Sequence, residues 1–161
     1  MRWGLLDGIE ELVVGERARG FRVWSASLPF FEDHFPKFPV VPGVLTLESL
    51  AQLSGKLIGY TVRQQRGDWP FPILSMMEGV KFRKFIRPEE RVVLDTRIVH
   101  LRDEMAACEV KASVNGKVHA VAQQIFVFNA VPLSNEGDRL TVEAAERAEL
   151  LRLWPAFPGD F

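Results

Sequence analysis

Among 161 residues there is one cysteine, Cys108, so no internal disulfide can form. Charge of one sign is also missing. Twenty Lys and Arg stand against 21 Asp and Glu, a net of −1, which offers no basic field to nucleic acid or to an anionic membrane. Long apolar runs are absent as well. The best candidate span, 44–62, contains Glu48, Ser49, Gln52, Ser54 and Lys56, too polar a set to insert in a bilayer. The N-terminal MRWGLLDGIEEL carries acidic residues from Asp7 and no apolar run, so no signal peptide is expected. These exclusions point to a soluble, cytoplasmic protein. Histidines 34, 100 and 119 with Cys108 match no metal-ligand spacing. GxSxG, Walker and GxGxxG motifs are missing, so neither a metal nor a redox cofactor is expected. Cys108 has no nucleophile motif around it and reads as a small core residue on a strand. There are no internal repeats and no low-complexity tract.

What is present is enough for one domain with its own core. Hydrophobic residues make up 47%, an ordinary globular content. Residues 4–12 read as a short helix or an entry turn, and 13–16 as a strand end and turn. Residues 17–28 alternate in part and contain Phe21, Val23 and Trp24, which predicts a strand ended by Pro29. Residues 63–72, with Gly67, Pro70 and Pro72, read as a loop. Strands are predicted over 73–85, 91–101, 105–114 and 118–129, with a turn at 87–90. Asn115-Gly116 is a strong hairpin signal. A strand, a long helix, then four strands at hairpin spacing predict an α+β architecture: an antiparallel sheet with a helix on one face. Residues 1–132 form the predicted domain. Residues 133–161 read as a C-terminal extension, with an amphipathic helix over 141–154, packed on the surface in preference to serving as a lid or partner-docking segment, and an irregular tail.

The chain is organised around HFPKFPVVPGVLTLESLAQ, His34 to Gln52. Pro36, Pro39 and Pro42 stiffen the segment after His34. Pro42 also marks a helix start. Apolar residues at 44, 45, 47, 50, 51, 53, 57, 58, 60 and 62 exceed one stripe, so most of the helix should be buried. Glu48 and Gln52, four apart, share a face. A carboxyl kept neutral by burial can donate a proton.

This stretch, with the preceding PFFEDHFP and the later GVKFRKFIRP at 79–88, resembles the signature of the (3R)-hydroxyacyl-acyl carrier protein dehydratases, which have the hotdog fold. The resemblance spans about residues 5–130. It implies a curved sheet wrapped around the central helix. It also implies a homodimer, with hexamers as trimers of dimers a further step, in which His and Glu of one site come from opposite protomers.

Dehydrating a 3-hydroxyacyl thioester needs a base at C2, an acid at the departing hydroxyl and a donor for the thioester oxygen. By this resemblance His34 is the base and Glu48 the acid. The Gly43 N–H, at the helix N-terminus, is the oxygen donor, and Gln52 orients Glu48. Glutamate rather than aspartate at 48 implies dehydration without isomerisation. Phe30, Phe31, Leu45 and Phe82 are candidates for an apolar acyl tunnel. Lys81, Arg83, Lys84 and Arg87 are candidates for docking an acidic acyl carrier protein, whose phosphopantetheine carries the substrate; no separate cofactor is implied. Lys37 and Phe38 depart from the family's usual Gly and small or polar residue, and MRWG replaces its usual N-terminal segment. Two rival readings are a hotdog thioesterase and a non-catalytic hotdog subunit that binds acyl carrier protein.

Overall fold

The computed structural model describes residues 2–133, 135–159 and 161. Six strands form one antiparallel sheet: β1 (Gly8–Val13), β2 (Arg17–Val23), β3 (Ile73–Phe82), β4 (Arg91–Leu101), β5 (Met105–Val114) and β6 (Lys117–Val127). Their spatial order is β1-β2-β4-β5-β6-β3, which leaves β1 and β3 as edges. A single-turn 3-10 segment, Pro29–Glu32, leads toward the long helix α1 (Gly43–Arg66), and a second helix α2 (Glu136–Leu153) follows the sheet.

Alternation explains the sheet's two faces. On β4, Val92, Leu94 and Thr96 are buried while Arg91 and Arg97 are exposed. On β5, Ala106, Cys108, Val110, Ala112 and Val114 are buried, and the intervening Glu109 and Lys111 are exposed. The period of two places one row against α1 and the other in water. From the helix come Leu50, Leu53, Leu57 and Ile58, each fully buried. Two polar links cross the seam. Ser54 and Thr96 share a hydrogen bond of 2.6 Å. Buried Gln124 donates to the Leu47 carbonyl at 2.9 Å, tying the sheet to the turn that carries Glu48.

Several boundaries differ from the sequence reading, and β3 ends at Phe82 rather than at Phe85. Residues 8–13 are a strand, not a helix or entry turn. A register shift between Ile9 and Glu11 breaks the alternation, so a period-two pattern is not visible in GIEELV. The first predicted strand ends at Val23 rather than at Leu28. Helix α1 runs past Val62 to Arg66. Its last turn is polar because it is exposed, and Gly67 in the left-handed region (φ 91) closes it, its N–H donating to the Arg63 carbonyl at 3.0 Å. Helix α2 begins at Glu136 rather than 141, because Asn135 caps it by accepting from the Asp138 N–H at 2.8 Å. Asn115 and Gly116 both take positive φ, 51 and 77, as a two-residue hairpin turn with the strands' twist requires.

Helix α2 is fastened to α1. Leu150, Leu153 and Trp154 join the common core. Trp154 meets Tyr60 edge-on at 5.5 Å. Glu146 bonds Lys56 at 2.5 Å, and Glu143 accepts from the Trp69 N–H at 3.0 Å.

Candidate active site

His34 follows the 3-10 turn, its N–H bonded to the Phe30 carbonyl at 3.0 Å. Two contacts join it to Val40. The Val40 N–H donates to the His34 carbonyl at 2.8 Å, and the ring Nδ1 lies 2.9 Å from the Val40 carbonyl. A carbonyl oxygen can only accept, so Nδ1 carries the hydrogen. The neutral ring then has its lone pair on Nε2, the form a general base needs. Phe35 stacks on the imidazole at 4.3 Å, and the His34–Phe35 peptide bond is cis.

The loop after His34 is pinned from the segment that follows β3. Arg87 Nε donates to the Pro39 carbonyl at 2.8 Å, and its guanidinium lies 4.0 Å over Phe38. The Val41 N–H donates to the Ile86 carbonyl at 2.8 Å. Lys37 sits at φ 66, a left-handed conformation that glycine adopts without cost.

Gly43 is the first residue of α1, after Pro42 as N-cap. The first N–H groups of a helix have no partner within it. A Cβ at 43 would lie 2.6 Å from the Phe82 ring, so glycine lets that ring approach the helix end.

Glu48 lies five residues on and is half-buried. Its Oε1 accepts from Gln52 Nε2 at 3.2 Å and from the Trp3 indole N–H at 3.1 Å. Gln52 is held at both ends of its amide. Nε2 also donates to the Trp3 carbonyl at 2.7 Å, and Oε1 accepts from the Leu5 N–H at 2.7 Å. The amide orientation is therefore fixed by the backbone that leads into β1.

Glu48 and Gln52 open on a cavity of about 580 Å³. Its walls include Ala51, Gly55, Phe71 and Leu74, and from α2 Val142 and Leu153. His34 and Gly43 do not line it, so one chain alone does not bring His34 and Glu48 into one cavity. Phe30, Phe31, Leu45 and Phe82 do not line it either. Phe31 is buried in the core, with Phe30 and Leu45 packed against it, while Phe82 is exposed beside Gly43. Of the four cations, Lys81, Arg83 and Lys84 are exposed, whereas Arg87 is engaged with Pro39 and Phe38. Among the described residues no group of three or more His, Cys, Asp or Glu could hold a metal ion, and no helix is long and apolar enough to cross a membrane.

Sequence reasoning missed Trp3 and the small stripe that continues Glu48 along the helix. Ala51 and Gly55 fall three and seven residues after Glu48, on its face. Two small residues there, on a helix otherwise packed with leucine, are the signal that was available.

Residues 4–123 match the FabA-like domain family. The chain is 32% identical over 124 residues to the 3-hydroxyacyl-[acyl-carrier-protein] dehydratase FabZ of Caldicellulosiruptor bescii, covering 77% of this chain and 86% of that one. It is 31% identical to the FabZ dehydratase of Clostridioides difficile, covering 77% and 85%. The dehydratase heterocomplex ApeI:P from Xenorhabdus doucetiae superposes with a TM-score of 0.65 at 12% identity, covering 88% of this chain and 90% of that one. A hypothetical thioesterase with coenzyme A from Streptococcus pneumoniae gives 0.58, also at 12%, covering 75% and 84%. At such identities these two speak for architecture alone, and the architecture is the α+β hotdog. The matched region contains His34, Gly43, Glu48 and Gln52, and with it the chain belongs to the FabA-like family.

Proposed function

We propose that this protein dehydrates (3R)-3-hydroxyacyl thioesters carried on the phosphopantetheine of acyl carrier protein, giving the trans-2-enoyl thioester in fatty-acid or related lipid or polyketide biosynthesis. The observation that carries the reading is the hydrogen bond from His34 Nδ1 to the Val40 carbonyl, which leaves the lone pair of the neutral ring on Nε2. Nε2 takes the proton from C2. Charge developing on the thioester oxygen is met by the Gly43 N–H at the helix N-terminus. Glu48 donates a proton to the C3 hydroxyl, which leaves as water. The C2–H and C3–O bonds break and the C2=C3 bond forms, with acid, base and donor all supplied by the protein. Gln52 and Trp3 hold the Glu48 carboxyl in place.

The reading requires two copies of the chain, with His34 of one facing Glu48 of the other. Two observations support this. His34 is absent from the cavity beside Glu48, and the edge strand β3 exposes Ile73, Met76, Val80 and Phe82, an apolar row that a second sheet edge would cover. Lys81, Arg83 and Lys84, at the end of that strand and just beyond it, form the basic rim for the acidic carrier.

The test is a spectrophotometric assay with 3-hydroxybutyryl and longer thioesters. Enoyl product supports the reading, free thiol would replace it with thioester hydrolysis, and carrier binding without turnover would leave a scaffold. His34→Ala and Glu48→Gln should each lower turnover by at least ~100-fold with the fold intact. A near-normal rate in either variant removes that residue from the mechanism.

A further inference from the structure

We propose that α2, which lies outside the 4–123 family match, is the outer wall of the acyl-chain site and limits the length of chain the site accepts. This rests on the dehydratase reading for the identity of the occupant. The juxtaposition itself is geometric: Glu48 and Gln52 of α1 line the 580 Å³ cavity together with Val142, Glu146, Glu149, Arg152 and Leu153 of α2. A volume of this size is typical of a site for one small ligand.

The helix side of the cavity is a single stripe. Glu48, Ala51, Gln52, Gly55 and Lys56 all line it, at spacings of three, four, seven and eight residues, which recur on one helical face. Lys56 lies about 12 Å along the axis from Glu48, at 1.5 Å per residue. Between them the wall is small. A Cβ built on Gly55 meets nothing within 4 Å, so that position faces open space. Phe71, Leu74 and Phe126 add apolar surface from the sheet side. Beyond Gly55 the character changes, because Lys56 is paired to Glu146 across the seam at 2.5 Å. An alkyl chain extending from a thioester near Glu48 would find apolar surface along this stripe and then an ion pair. Burying methylenes against that pair would desolvate it without compensation, so the chain stops there. Both sides of the barrier, Lys56 on α1 and Glu146 on α2, are anchored by the same helix–helix contact.

The experiment measures binding of S-alkyl pantetheine thioethers, from butyl to dodecyl, to the full-length protein and two variants by titration calorimetry. Gly55→Leu projects a side chain into the cavity from α1, and Val142→Phe does so from α2. In the wild type, affinity should rise about fourfold per added methylene and then level off where the ion pair is reached. Both variants should level off at shorter chains and reduce the octyl-to-butyl affinity ratio at least tenfold. An affinity that does not rise with chain length in the wild type, or an unchanged ratio in either folded variant, overturns the proposal. If Val142→Phe does not fold, the double variant Lys56→Met, Glu146→Leu, which removes the ion pair, reads the opposite sign, a later levelling, and no shift there is equally fatal. The two readings fail separately. Length-dependent binding without enoyl product from any substrate sinks the dehydratase and leaves the wall, whereas turnover with unaltered ratios does the reverse.

Discussion

Two glycines four residues apart on α1 should respond to the same substitution with opposite sign. Replacing glycine by alanine inside a helix is worth about 0.8–1 kcal/mol. At Gly55 that gain stands unopposed, since the added methyl meets nothing within 4 Å. At Gly59 the methyl would fall 2.1 Å from the Trp69 ring. Trp69 is only 2% exposed, stacked on Phe161 at 5.4 Å, with its backbone N–H donating to Glu143. The ring cannot swing away without carrying the α1–α2 seam with it. Overpacking of this kind costs about 1–3 kcal/mol, and more where the neighbour is rigid. Gly55→Ala should therefore raise the melting temperature by about 2–4 °C, and Gly59→Ala should lower it by up to about twice that, at the scale expected for a domain of this length. Thermal unfolding followed by circular dichroism at one fixed protein concentration makes the comparison. Equal shifts for the two variants would refute the packing argument, because helix propensity alone treats the positions alike.

Arg87→Lys separates two roles for one side chain. If Arg87 acts as a charge for the carrier, lysine suffices. If it acts by holding Pro39 and Phe38, lysine loses the Nε–H bond and the flat stacking surface, and turnover should fall about tenfold even on a small pantetheine thioester that involves no carrier, as judged by steady-state kinetics. Burial pushes the Cys108 thiol up from 9.0 to about 11, against the weaker lowering effect of its hydrogen bonds with Thr96 and Ser54. The unfolded chain therefore ionises first as pH rises, so stability present below pH 9 should be lost between pH 9 and about 11. The loss is about 2–3 kcal/mol, and urea titrations of Cys108→Ala should lack this increment.

The central stretch was legible because its constraints are local. Prolines stiffen the approach to His34, Pro42 marks the helix start, and a spacing of four puts Gln52 beside Glu48. The strands from Arg91 onward were legible for the same reason, since alternation and Asn115-Gly116 need no tertiary partner. Strand β1 was not, because the bulge between Ile9 and Glu11 interrupts its period. Trp3 could not be read as a partner of Glu48, since the bond spans 45 residues and depends on how the chain enters the sheet. The cavity was hidden for a related reason. Its apolar lining comes from the N-terminal segment, α1, the entry to β3, β6 and α2, and no single segment carries a pattern for a space enclosed by so many. Arg87 has a second engagement that its charge does not reveal: its guanidinium lies on Phe38 and its Nε donates to the Pro39 carbonyl.

The bond between His34 and the Val40 carbonyl reaches further than positioning. An imidazole with one nitrogen committed can pass a proton only through the side that received it. In the proposed reaction run backward, water adds to the enoyl group and Nε2 must return hydrogen to the same face of C2 from which it was removed. Enzyme working in heavy water would then place deuterium at C2 with a single handedness, dictated by a peptide oxygen six residues along the chain.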